Sequence, residues 1–354
     1  MGVLLDFTMP ITANQPPPQG STAHLKKLAV IVKGKDPAAN QTVVCYNVDD
    51  IAAVTDNTSV LEVFRGLNSI TLVISPTLAD AVVSDNDYYT LVISEDFEEA
   101  EAAAYKPTFS GVLASIATSN EVASKGASKH NSQRTSAEKA LKAASESLIE
   151  ALKNKDKLAI ERFTKSRNKA QNDISNLPNR CVFLDAEYSA KGCIFAFSKL
   201  LSGSFWRGRQ ADQSDDSYYS VSDLGEAESL FESRVSFYLN DSQYGTRLAF
   251  FAAGGNSITT PYILEQLKIE LQSSALIYIN QYQPKKTETT RINLEAELND
   301  RLKDYMQTPT DYLDKKSKVK VFDIGERFIL NASIDLIVAS DLWRIKAEVM
   351  EVEQ

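Results

Sequence analysis

The sequence predicts a multi-domain chain that mixes α/β and α+β architecture. Three observations carry this. Short continuous apolar runs alternate with short helical segments up to about Ile93. An Ala/Lys-rich stretch with helical periodicity then interrupts them. Two amphipathic helices followed by alternating strands close the chain.

In order, Lys27-Leu-Ala-Val-Ile-Val-Lys33 stops at Gly34 and reads as a buried strand. Val43–Tyr46 is a second. Asp49 and Asp50 open a helix through Val54, because acidic side chains favour a first turn. A second helix starts at a Ser59 cap and stops at Gly66. Ile70–Ile74 and Tyr88–Ile93 are further strands.

Between Glu121 and Lys169 the composition changes to Ala, Ser, Lys and Glu, without proline. This segment carries +6 and the rest of the chain −15, for a net −9. Thr135 or Ser136 can cap a helix with Leu141, Ala144, Leu148 and Leu152 on one face. Asn154–Asp156 can turn, and Ile160, Phe163, Ala170, Ile174 and Leu177 continue a stripe up to Pro178. A helical hairpin or one long bent helix results. Its positive face reads as a solvated helix surface before it reads as a nucleic-acid patch.

Arg180–Leu184 and Leu248–Ala252 are apolar strands, 208–223 is a loop, and Gly254-Gly-Asn256 is a tight turn. Thr260 then caps a long helix with Pro261 first in it. Its stripe is Leu264, Leu267, Leu271, Ala275, Tyr278 and Tyr282, and Glu265, Lys268 and Glu270 lie off that stripe. Asn293 caps another helix bearing Leu294, Leu298, Leu302 and Tyr305. Lys318–Phe322, Phe328–Val338 and residues 341–352 alternate as strands.

Both ends read as detached strands. Met1–Met9 is apolar and is followed by a tether, Pro10–Thr22, that holds Pro16, Pro17 and Pro18. At the other end Trp343, Ile345, Ala347 and Val349 share one face. A tethered apolar strand must pair with an edge, of its own molecule or of a neighbour. The predicted division is an arm and tether over 1–22, an α/β region over 23–255 with its insertion near 121–177, and a C-terminal domain over 256–354.

The acidic balance argues against a general nucleic-acid binder. No run of ~18 apolar residues spans a membrane, and no signal-peptide layout opens the chain, so synthesis in the cytoplasm is expected. Cys45, Cys181 and Cys193 lack zinc spacing and read as buried thiols. No cofactor or metal site is expected. No phosphate-binding glycine loop is present. Ser136-Ala-Glu-Lys139 fits a nucleophile pattern without its partner motifs. His24 lies beside the tether, and His130 in what reads as a polar turn, poor places for a triad. The carboxylate pairs Asp215-Asp216 and Glu98-Glu99 read as surface. Trp206 with Arg207 and Arg209 reads as a packed ring flanked by cations.

The order of Gly-Gly turn, Thr-Pro-Tyr helix start, long helix ending in Asn280-Gln-Tyr-Gln, second helix, long strand and Trp-bearing terminal strand resembles the C-terminal domain of contractile tail sheath proteins of myoviruses and R-type pyocins. The early pattern of strand, Asp-Asp-Ile-Ala-Ala-Val helix, Ser-Val-Leu-Glu-Val-Phe helix and Ile-Thr-Leu-Val-Ile strand is similar to the opening of such sheaths. The resemblance implies a non-enzymatic virion subunit that polymerises around a tail tube as stacked hexameric rings. The terminal strands, through Val3, Leu5, Phe7, Trp343, Ile345, Ala347 and Val349, would join neighbouring sheets, and contraction would drive genome ejection. Expected partners are other sheath subunits, the tail tube protein, and baseplate and tail terminator proteins. Glu265, Lys268 and Glu270 are the candidates to face the tube. A competing expectation is an intracellular α/β enzyme for a small acidic or sugar substrate, with Asp215, Asp216 and Trp206 in its site. A third is a tube or capsid protein of the same virion.

Overall fold

The computed structural model describes residues 3–12, 22–84, 87–175, 177–203, 218–241, 245–282, 285–306, 313–323 and 329–338. The chain starts with strand β1 (Val3–Thr12) and a 3-10 turn at Thr22–Lys26. Strands β2 (Leu28–Val32) and β3 (Gln41–Cys45) follow. Helix α1 (Val48–Val54) is capped by Asn47, whose side chain accepts from the Asp50 amide. The expected helix at Ser59 is a 3-10 segment, Thr58–Arg65, and its cap is Asn57, which accepts from the Ser59 amide. Asn57, two residues ahead of the donating Ser59 amide, takes the capping role in place of the serine.

Strands β4 (Ile70–Ile74) and β5 (Thr90–Ile93), helix α2 (Glu99–Ala104) and strand β6 (Val112–Ala117) come next. The insertion is a hairpin of α3 (Asn120–Lys153) and α4 (Lys157–Ser175). Its turn places Lys155 at φ 55°. Helix α3 begins at a Ser119 cap, well before Thr135 and Ser136, because Ala123 and Ala127 bury a narrow small-residue seam where no large apolar stripe exists. His130 therefore lies inside a helix. Burial first, then Arg180, Lys129 and Lys106, holds its imidazole down at about 4, so it is neutral.

Strand β7 (Asn179–Leu184) and helices α5 (Lys191–Ser202) and α6 (Leu224–Glu232) precede the hairpin of β8 (Phe237–Asp241) and β9 (Gly245–Phe250). The two-residue strands β10 (Ala252–Ala253) and β11 (Asn256–Ser257) flank Gly254 and Gly255 at φ 60° and 81°. Two consecutive positive φ values make the tight turn that glycine admits without strain. Helix α7 (Thr259–Tyr282) starts one residue before the expected Thr260 cap, leaving Pro261 still in the first turn, where its missing N–H costs nothing. Helix α8 (Glu288–Lys303) is capped by Thr287, which places Asn293 inside the helix. Strands β12 (Lys318–Phe322) and β13 (Ile329–Val338) end the described chain.

Six strands form the main sheet in the order β3-β4-β2-β5-β6-β7. All neighbours are parallel except the β3–β4 edge pair. This is a doubly wound sheet with an added antiparallel edge. Its central strands are buried throughout, which explains their unbroken apolar runs. One face carries the largest core, with Phe195, Phe197, Leu200 and Leu201 of α5 and with Tyr238 and Tyr262. The opposite face packs Tyr88, Phe97, Ala102 and Phe109.

A separate core joins Leu264, Leu267, Leu271 and Ala275 of α7 to Leu294, Leu298 and Leu302 of α8. Val319 and Val321 of β12 and Leu330 and Ala332 of β13 complete it. Tyr282 of the expected α7 stripe stands exposed at the helix end.

Candidate assembly interface

The two ends of the chain meet in one small sheet, ordered β1-β13-β12 and antiparallel throughout. Strand β1 pairs with β13 over its whole length, from Val3 opposite Val338 to Thr12 opposite Ile329. In the backbone register Leu5 is the partner of Leu336, and Phe7 of Ile334. The strand runs through Pro10, which the sequence assigned to the tether. Proline is tolerated there because β1 is an edge strand and needs no outward donor. In this single chain the edge that β1 fills is its own. Trp343, Ile345, Ala347 and Val349 lie outside the described residues.

The other edge of this sheet is treated differently. In an antiparallel ladder alternate residues aim their N–H and C=O away from the partner. In β12 these are Val319 and Val321, and α8 satisfies them. Asn299 accepts from the Val319 amide through Oδ1 (2.8 Å) and donates to the Val319 carbonyl through Nδ2 (2.8 Å). Glu295 Oε2 accepts from the Val321 amide (2.8 Å), and Arg291 Nη1 donates to the Val321 carbonyl (2.6 Å). Arg291 and Glu295 also pair with each other at 3.2 Å. Residues 291, 295 and 299 form one row at four-residue spacing, beside the apolar row of Leu294, Leu298 and Leu302. That polar row is legible in the sequence, but only the strand beneath it shows its use.

The expected tube-facing residues, Glu265, Lys268 and Glu270, each have a partner within the chain. Lys268 Nζ pairs with Glu265 Oε1 at 3.1 Å. Both line a small cleft between α7 and the helical hairpin, together with Tyr89, Arg134, Glu138 and Asn179. Glu270 accepts a hydrogen bond from the Tyr305 hydroxyl (2.5 Å) and another from Gln266 Nε2 (2.6 Å), so it is turned toward the end of α8. On the hairpin side of the cleft, Arg134 Nε bonds Glu138 Oε1 at 2.9 Å, and Arg134 Nη1 donates to the Leu177 carbonyl at 3.3 Å. Burial raises the Glu138 carboxyl above its usual value in spite of Arg134. The Gly254 turn approaches the same arginine: a Cβ there would meet Arg134 Cδ at 3.3 Å. The cleft thus joins hairpin, α/β sheet and α7.

In a doubly wound sheet the ligand crevice lies at the carboxyl ends of the strands where their order reverses. Here that is beside β2 and β5. Two carboxylates occupy it. Asp96 accepts from the Lys33 amide (2.9 Å) and Asn57 Nδ2 (3.1 Å), and Glu95 accepts from Ser59 and the Ala190 amide. The crevice's own donors are spent on carboxylates and are not aimed at an anionic ligand. Of the expected surface pair, Glu98 is exposed. Glu99 accepts from the Thr118 amide and hydroxyl (2.9 and 2.8 Å), fixing α2 to the end of β6.

At the end of β7, burial, with Glu187 and Glu95 nearby, pushes the Asp185 carboxyl up to about 6. A carboxyl whose folded value exceeds its unfolded one stabilises below about pH 4, and that stability is lost as pH rises through about 6. Asp185→Asn keeps the oxygen that accepts from the Glu187 amide (3.0 Å). The variant should be more stable than the parent at pH 7.5 by about 2 kcal/mol, with the gain vanishing near pH 4. Urea unfolding at both pH values measures this.

Cys45, Cys181 and Cys193 are all buried, and burial pushes the Cys181 thiol up to about 12. Ser136 donates to the Ser132 carbonyl (2.8 Å) within α3. His24 stands edge-on to Tyr89. Trp206, Arg207, Arg209, Asp215 and Asp216, the centre of the enzyme expectation, lie outside the described residues. Among the described residues no group of three His, Cys, Asp or Glu side chains could hold a metal ion, and no helix is long and apolar enough to cross a membrane.

No protein-family model matches the chain, and no curated protein matches it. A solved structure does. The chain is similar to one in the six-fold symmetrised cryo-electron-microscopy structure of the anti-feeding prophage baseplate. The two share 9% identity over 96% of each chain, with a TM-score of 0.55. At that identity the likeness is one of fold, over nearly the whole chain.

Proposed function

We propose that this chain is a structural subunit of a contractile, phage-tail-like particle, and within such a particle a sheath subunit. The observation that carries the reading is the small sheet, in which a strand on a proline-rich tether fills an edge. A strand held that way can fill the same edge of a neighbour with the same pairing, so exchange costs little and links copies in a non-closing series. The similarity in fold to a chain of the anti-feeding prophage baseplate supports the particle class. Stacked hexameric rings around a tail tube, contraction to drive the tube through a host envelope, and contacts with tube, baseplate and terminator proteins belong to this proposal, as does a place in the virion tail. So does strand donation by 341–352.

For the tube contact, Glu265 and Lys268 would first have to leave their mutual pair, and Glu270 its bond to Tyr305. The solvent face of α7 at Ile277 is the less encumbered surface. The enzyme alternative finds less support, since the crevice beside β2 and β5 is filled by Glu95 and Asp96.

The test is a disulfide trap across the β1–β13 register. One population carries Leu5→Cys and the other Leu336→Cys, residues that are register partners. The native thiols are buried and do not compete. Mixed and assembled under oxidising conditions, the two should give crosslinked dimers between populations. A single chain carrying both changes that yields only internal crosslinks, with no dimers from the mixture, would end the exchange reading.

A further inference from the structure

We propose that the groove between α2 and α3, floored by Arg180, is a binding site for a phosphate-class oxyanion. Strand β7 turns Val182 and Leu184 toward α3, where they pack with Ala123 and Ala127. Residues two apart share a face, so Arg180 extends the same row toward the start of the strand. Its register partner on β6, Leu113, lies in the core on that face, with Ala102 of α2. One turn beyond Ala127, α3 carries Lys129 and His130, and the residues that follow α2 are Tyr105 and Lys106. Arg180, Lys129 and Lys106 all act on the His130 imidazole, and Arg180 acts on the Tyr105 phenol, so the five side chains form one group.

Arg180 is 7% exposed. Its Nη2 donates to the Tyr105 carbonyl. Its Nη1 is buried and has no hydrogen-bond partner among the described residues. Buried polar atoms in native folds are nearly always satisfied, by protein, by water or by an ion. A water would satisfy the N–H and leave the charge. That charge lacks a counterion: burial lowers the guanidinium to about 10, and what opposes this is the Tyr105 phenol, with no carboxylate. Among the described residues no ion pair includes Arg180, Lys106 or Lys129. A buried cation left that way is costly, and an anion relieves the cost. All five groups donate: a guanidinium, two ammonium groups, a phenol and one nitrogen of a neutral imidazole. Such a set fits a dianion with several acceptor oxygens. Lys106 and Lys129 are exposed and His130 is half-buried, so the groove opens to solvent above the buried guanidinium. A bound ion would tie the base of the helical hairpin to α2 and β7.

The experiment titrates full-length protein with sodium phosphate at neutral pH, against sodium chloride of equal ionic strength. Calorimetry should give one ion per chain. The melting temperature should rise and then saturate, unlike the steady gain that any kosmotropic salt gives. The chain has two histidines, so imidazole resonances locate the ion. Sulfate, which stays a dianion in acid, should raise the His130 titration from about 4, because a nearby anion favours the charged ring. The His24 resonance, at the entry to β2, should not respond. Lys106→Gln/Lys129→Gln changes two exposed positions, should keep the fold, and should weaken phosphate by about tenfold for each lysine removed. Arg180→Gln should abolish the saturable gain, and if it fails to fold the lysine variant still decides. Glycerol phosphate that competes as well as inorganic phosphate assigns the site to phosphate esters, and one that does not compete assigns it to the free ion; the site stands in both cases. A melting gain that never saturates overturns the proposal. So does phosphate affinity unchanged in the lysine variant, or a His130 titration that stays put while sulfate binds.

Discussion

Deleting residues 1–12 is expected to abolish polymer growth. The deletion removes every pairing between β1 and β13 and leaves β13 with one neighbour. The α/β sheet keeps all six of its strands, since none of them comes from this segment. Far-UV circular dichroism and the main thermal transition should therefore survive. Size-exclusion chromatography with light scattering should show no species above the starting subunit, under conditions where the proposal has the parent form rods or rings. Among the described residues no seal of the kind β12 has covers the exposed β13 edge, so the deleted protein should bind added 3–12 peptide in its place. Polymers of normal appearance from the deleted protein would show that lattice contacts lie elsewhere. Loss of the whole cooperative transition would show that the arm belongs to the main core.

Arg134→Met should cost about 3 kcal/mol at pH 7, because it leaves the Glu138 carboxylate buried without its cation. The side chains are well covered, at 14% and 17% exposure, so solvent screens the pair little. The pH dependence carries the sign of the cause. Glu138 is already raised by burial, and loss of Arg134 raises it further. Its contribution to stability then recovers as pH falls through the new folded value and the group takes up a proton. The deficit should shrink by pH 5, measured by urea unfolding against the parent at each pH. A deficit that is the same at both values would assign it to the lost contact with the Leu177 carbonyl. Because Arg134 also lies against the Gly254 turn, the variant should loosen the hairpin from the sheet before it unfolds α5 or β5.

Much of the fold was legible in the sequence where burial was simple. Strands covered on both faces show as unbroken apolar runs, and β2, β4 and β7 were found that way. The row of Leu294, Leu298 and Leu302 gave α8, although its cap lies at Thr287 and not Asn293. The elements that sequence reasoning missed have mixed or saturated patterns. Strand β6 carries Ser115 within its apolar run. Helix α5 is buried almost all round, so Cys193, Ile194, Phe195, Ala196 and Phe197 show no polar face to mark a helical period. Helix α3 was begun too late because its first turns bury alanines.

For the interface, apolar alternation marked both strands of the β1–β13 pair, and the tether marked β1 as separable. Neither could say whether the edge was its own. The row of Arg291, Glu295 and Asn299 looked like ordinary helix surface, because hydrogen bonds to another strand's backbone leave no trace in a side-chain pattern.

The pairing of Val3–Thr12 with Ile329–Val338 also sets a schedule. Strand β1 has to wait for a partner made more than 300 residues later. At ribosomal rates of roughly 5–20 residues per second, that wait is on the order of half a minute. Contacts between such distant segments form late, after the local ones have closed. Once β7 (Asn179–Leu184) has emerged, and until β13 does, the doubly wound sheet can be complete while the arm is free and its socket does not yet exist. On a polysome, chains at successive stages hang side by side, and a newly finished socket can meet a neighbour's waiting arm as well as its own, although the tethered arm has the higher effective concentration. If the proposed exchange takes place, the order of synthesis gives it an opportunity before any template for assembly is present.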